Sequence, residues 1–104
     1  RGRRAEARSK MLEAAQWLER VATARGIYIV NATDLPSTYT EVKSGANRTY
    51  SIAYSSGNAG ATYTLTATPE GAQAHDKCGN LTLTQSGQRG RSGSGASVEE
   101  CWNR

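Results

Sequence analysis

The sequence predicts a small α+β domain in which one long N-terminal α-helix packs on a three- or four-stranded antiparallel β-sheet. Three observations predict it. The first 25 residues are dense in helix-forming residues, three later segments alternate apolar with hydroxyl-bearing side chains, and the connections between those segments are too short for crossovers. A chain of 104 residues has room for one domain and one modest core. Leu, Ile and Val together supply 13 residues, Phe none, and Thr, Ser and Gly 32, so hydrophobic burial needs help from a further staple. Neither a transmembrane span nor a signal peptide is expected within these residues, because no apolar run approaches the length needed to cross a bilayer.

Residues 3 to 25 contain neither Gly nor Pro and should form the helix. Met11, Ala15, Leu18 and Ala22 recur at helical spacing, flanked by Ala14, Trp17 and Val21, and direct one broad apolar face at the rest of the domain. Gly26 is placed to end it. The start has no Ser, Thr, Asp or Asn cap and brings Arg1, Arg3 and Arg4 to the positive end of the helix dipole, which reads as a cut. Few apolar groups occur there, so this end is expected to project from the domain. Residues 26 to 46 follow no period and read as a connecting loop with a turn at Leu35-Pro36-Ser37.

Strand patterns follow at Arg48 to Ser55, with Tyr50, Ile52 and Tyr54 on one face, and at Ala61 to Thr68, with Tyr63, Leu65 and Ala67 facing inward. The five residues from Ser56 to Gly60 supply a hairpin loop between them. Asn80 to Ser86 alternates again, with Leu81 and Leu83 inward, which completes a meander over residues 47 to 86. One sheet face is then apolar and the other a ladder of threonines. Met11, Leu18 and Val21 are expected to meet Tyr50, Ile52, Leu65, Leu81 and Leu83 across the interface. Gly87 to Ser97 carries no core and reads as flexible, before Cys101 and Trp102 anchor the end.

Charge is unevenly placed. Residues 1 to 25 hold seven basic and three acidic side chains, whereas residues 26 to 104 hold six of each. A pI near 9.4 invites a nucleic-acid reading, but a neutral domain body weakens it. Cys78 and Cys101 are the only cysteines, and with the single His75 they leave a tetrahedral zinc site short of ligands. A disulfide is the better reading, worth about 3 to 4 kcal/mol and implying an oxidising compartment; two reduced thiols are the alternative. Catalysis finds no support, because His75 lies in a polar loop beside Asp76 and Lys77, and neither a metal nor a cofactor is expected. Glu99 and Glu100 are adjacent and, in an extended segment, point to opposite sides. Asn-x-Ser/Thr triplets at Asn31, Asn47 and Asn80 are what this composition gives by chance.

The order of parts resembles the type IV pilins, in particular the PilE-like minor pilins of type IVa pili. The likeness is carried by Arg4-Ala5-Glu6-Ala7 leading into Leu12-Glu13-Ala14-Ala15, by Tyr63 to Pro69, by Lys77-Cys78-Gly79-Asn80-Leu81-Thr82-Leu83, and by Cys101-Trp102. The resemblance implies a single headgroup domain with a spine helix (1 to 25), an αβ loop (26 to 46) and a disulfide-bounded D-region (78 to 101). It also implies a hydrophobic first half of the helix, not present in this sequence, that would hold the subunit in the inner membrane before assembly. The D-region is short and dominated by Gly and Ser, which argues against a regular fourth strand and a rigid ligand pocket there.

The function so implied is that of a pilus subunit, a minor pilin that primes assembly or sits at the tip and supports motility, adhesion or DNA uptake. Its partners would be other pilin subunits and the assembly machinery, and its path would run from inner membrane and periplasm to the extracellular pilus. A DNA-binding competence pilin is the alternative, with Arg89, Arg91 and Arg104 meeting phosphates and Glu99 and Glu100 offsetting part of that charge. A major pilin is a further alternative. An adhesin using the threonine face is a third class, with no particular residue to carry it.

Overall fold

The computed structural model describes residues 2–31, 34–44, 47–71, 76–93, 95 and 97–103. Helix α1 spans Gly2–Arg25 and is followed by a short 3-10 turn at Ser37–Tyr39. The strands are β1 (Glu41–Ser44), β2 (Asn47–Gly57), β3 (Thr62–Pro69), β4 (Leu81–Thr84) and β5 (Arg89–Arg91), and helix α2 (Val98–Asn103) closes the chain. They form one antiparallel meander in the order β1-β2-β3-β4-β5.

Helix α1 ends where Gly26 adopts a φ of 88° and returns its N–H to the Ala22 carbonyl at 2.7 Å, a left-handed turn that costs glycine nothing. Its buried stripe is Ala7, Met11, Ala14 and Leu18, all with no exposed surface. The stripe is rotated slightly from the predicted one, leaving Ala15, Trp17 and Val21 half-buried at its margin. The sheet answers with Tyr50, Ile52 and Tyr54 from β2, Tyr63, Leu65 and Ala67 from β3, and Leu81 and Leu83 from β4, all buried. Register aligns them in rows, Tyr54 with Leu65 and Leu83, and Ile52 with Ala67 and Leu81. The strict alternation along β3 therefore puts each threonine on the outer face. Tyr54 is anchored by donating its hydroxyl to the Ile29 carbonyl at 2.5 Å.

The sheet has five strands, so the expectation of three or four is corrected at both edges. Strand β1 lies inside the segment read as a loop; it is four residues long, with Val42 buried between the less buried Glu41 and Lys43, too short for a period to show. Strand β5 lies inside the D-region read as flexible, and pairs Arg89 with Leu83 and Arg91 with Leu81. The glycines that suggested disorder are what let the tail return so close. Gly93 donates to the Cys78 carbonyl at 2.9 Å, and a Cβ on Gly79 would lie 2.6 Å from Ser92 Oγ and 2.8 Å from Gly93 N. Glu99 and Glu100 are helical, not extended. Ser97 Oγ accepts the Glu100 N–H at 3.0 Å, and the two carboxylates occupy the first turn of α2 where the helix dipole favours them.

The helix start does not project either. Arg4 Nε lies 3.2 Å from Asp76 Oδ2, with both side chains largely buried, and Arg8 donates to the Cys101 carbonyl at 2.8 Å. Long cationic side chains replace the apolar groups the sequence lacked there. Cys78 and Cys101 form a fully buried disulfide with a Cα separation of 5.9 Å.

Two stability experiments follow. Replacing both cysteines with Ser is expected to remove about 3 to 4 kcal/mol, a fall in Tm of roughly 12 to 30 °C for a domain of this size, read by circular dichroism. Leu65→Ala, in the middle of the sheet and fully buried, is expected to cost about 2 to 5 kcal/mol in urea unfolding at unchanged slope.

Candidate nucleic-acid interface

Several basic side chains of the helix start, the sheet and the tail have partners. Lys43 and Arg48 share Glu41, at 3.4 and 3.6 Å, and Arg48 Nε lies 2.7 Å from Glu70, whose carboxyl the Arg48 hydrogen bond holds below its ordinary range. Lys77 Nζ meets Glu100 at 2.6 Å. Arg4 and Arg8 are committed to Asp76 and Cys101, and burial is the main cause that pulls the Arg8 guanidinium below its usual range, with the like charge of Arg4 adding to it. Much of the positive charge around the sheet and tail is therefore engaged within the fold.

Arg89 is different. It is exposed on the edge strand β5, and among the described residues no carboxylate lies within ion-pairing distance of it. Pairing with Leu83 places Arg89 on the helix side of the sheet, and pairing with Leu81 places Arg91 on the same side at the next inward position, about 7 Å away by strand geometry. Helix α2 packs on β5 and against α1. From α2, Trp102 brings its indole to 5.3 Å from the Arg89 guanidinium carbon and donates its Nε1–H to the Gly90 carbonyl at 2.9 Å. Both contacts require α2 where the disulfide and the Arg8 hydrogen bond hold it.

A groove lies on each flank of α1. The larger, about 630 Å³, runs toward β1 and is lined by Glu6, Glu13 and Glu41 against Lys10 and Lys43, with Glu41 engaged by Lys43 and Arg48. The other, about 470 Å³, runs between Leu12, Gln16 and Glu19 of α1 and the turn after β4, and Arg89 is part of its lining. Glu19, the acid on that wall, is engaged by Tyr28, which donates its hydroxyl at 2.6 Å. This hydrogen bond is the main cause that pushes the Tyr28 hydroxyl up to about 12, and burial does the same to Tyr63, whose ring stands edge-on to Tyr28 at 4.8 Å.

Of the sites read from sequence, the structure joins Cys78 to Cys101 and places Arg89 and Arg91 side by side, while Arg104 and His75 lie outside the described residues. Trp102 was legible only as an anchor. The Ser97-Val98-Glu99-Glu100 run, a capping signature, is the signal that could have placed it on a helix. Among the described residues no cluster of His, Cys, Asp or Glu could hold a metal, and no helix is long and apolar enough to cross a membrane.

A helix laid on an antiparallel meander whose tail is tied back by a disulfide defines a type IV pilin headgroup, and the solved structures agree. A type IV pilin from Shewanella oneidensis is 31% identical, with a TM-score of 0.62, covering 85% of this chain and 86% of that one. The non-core minor pilin PilV of Neisseria meningitidis, 22% identical, has the same fold with a TM-score of 0.64, over 90% of this chain and 87% of its own. Residues 1–82 match the family described as "Type IV minor pilin ComP, DNA uptake sequence receptor", and the chain belongs to that family. No curated protein matches the sequence.

The tyrosine contacts give a pH dependence with a definite sign. Tyr28 has its folded value raised from 10.0 to about 12, so its contribution is complete below pH 10 and disappears as pH rises toward 12. Ultraviolet titration of the phenolates, differenced against Tyr28→Phe, is expected to show Tyr28 ionising well above its free value. A midpoint at about 10, the value of a free phenol, would mean that the Glu19 hydrogen bond is not made in solution.

Proposed function

We propose that this type IV pilus subunit is a DNA-capturing minor pilin, which holds DNA at its disulfide-bounded tail while α1 seats it among other pilin subunits. The observation that carries this reading is Arg89, exposed and without an acidic partner among the described residues, beside Arg91 on the β5 edge. Backbone phosphates need only positive charge within reach. The family match supports the reading through the DNA uptake its description names, but it ends at residue 82, before β5, so these arginines rest on the geometry alone. The path that goes with it runs from inner membrane and periplasm to the extracellular pilus, with a hydrophobic segment ahead of α1 as the membrane anchor.

Fluorescence anisotropy with a labelled duplex, over a series of salt concentrations, tests this. Binding is expected at low ionic strength. Arg89→Ala with Arg91→Ala should weaken it and make the slope of log K against log salt shallower by about 2, one for each phosphate that the variant no longer reaches. No binding at low salt, or a slope untouched by the double variant, overturns the proposal.

A further inference from the structure

Trp102 belongs to the same site in a role of its own. Its indole makes two contacts with neighbouring residues of β5, Nε1–H to the Gly90 carbonyl at 2.9 Å and the ring face beneath Arg89, with 5.3 Å from the guanidinium carbon to the ring centroid. Trp102 itself is 5% exposed, follows the disulfide-bonded Cys101 and is tied through Nε1–H to the Gly90 carbonyl, so contacts other than the Arg89 side chain hold the ring. An exposed arginine on an edge strand otherwise samples many rotamers and gives up that freedom when it meets a phosphate. Here the guanidinium carbon already lies over the indole ring, and Arg89 as a whole is exposed, so its N–H donors can still meet an oxygen acceptor.

We infer that Trp102 is a positioning residue for DNA capture, holding the Arg89 guanidinium in a fixed orientation so that it meets a backbone phosphate with little further ordering. The inference rests on the DNA-capture reading and adds to it a residue that touches no DNA. It also makes the disulfide matter for binding, because Cys101 sets the position of Trp102 in α2.

A double-mutant cycle read by the same anisotropy assay separates positioning from simple packing. Trp102→Phe keeps a ring of similar character, and Trp102→Leu removes both the indole N–H and the aromatic face. Each is made in the Arg89 and in the Arg89→Ala chain, with folding of all variants checked by circular dichroism. In the Arg89 background, Trp102→Leu is expected to weaken binding about two- to fivefold, with a smaller effect for Trp102→Phe. In the Arg89→Ala background neither should weaken it further, and Arg89→Ala alone should flatten the salt slope by about 1. Equal weakening in both backgrounds would show that Trp102 only supports the fold and overturn the inference, as would a slope unchanged by Arg89→Ala. If Trp102→Leu does not fold, the Trp102→Phe arm decides by the same criterion. These failures are distinct from that of the DNA reading itself, in which the unaltered chain does not bind and both proposals fall together.

Discussion

The structure depends on one close contact, that of the small-residue stripe of α1 with the apolar face of the sheet. Ala7 and Ala14 have no exposed surface, and each presents only a methyl group, so the helix axis can approach the strands while Met11 and Leu18 fill the space between. The sheet is built to receive it, with Tyr50, Leu65 and Leu81 wholly buried in three neighbouring strands. A chain with so few large aliphatic residues cannot supply a second apolar layer, and the outer face of the sheet is accordingly threonine on β3 and β4, with Ser51, Ala53 and Ser55 beside them on β2. The same core takes in Ile29, Leu35, Val42 and Trp102, and the D-region is held in addition by sulfur, by arginine and by a short capped helix.

The interior of the molecule was legible from its sequence because burial imposes a period. Tyr50, Ile52 and Tyr54, Tyr63, Leu65 and Ala67, and Leu81 and Leu83 all alternate as strands must, and all lie inside. The edges were not legible, for a physical reason. Strands β1 and β5 are paired on one side only, are short, and carry at most one buried apolar residue, so the backbone hydrogen bonds that define them leave no mark on hydropathy. Arg4 and Arg8 show a related limit. The helix start was expected to project because it has few apolar groups, yet the stems and guanidinium groups of these two residues take the place of apolar residues in the contact between α1 and the tail.

The candidate site divides the same way. Two arginines at alternate positions could be picked out as a possible phosphate contact, but nothing in the pattern said that they share a paired strand or that a tryptophan eleven residues beyond Arg91 lies against it. Composition misled most in the D-region. A run rich in Gly and Ser is also what a chain needs to pass tightly beside a cysteine, and here Gly79 and Gly93 make that passage possible.

The ties between α1 and the tail have a mechanical consequence. Arg4 reaches Asp76, two residues before Cys78, and Arg8 reaches the carbonyl of Cys101, so the first turns of the helix grip the chain at both ends of the crosslinked segment. In a fibre under tension, force entering along the helix would pass through these links into the covalent ring, which would share the strain as a buckle shares the load of a strap.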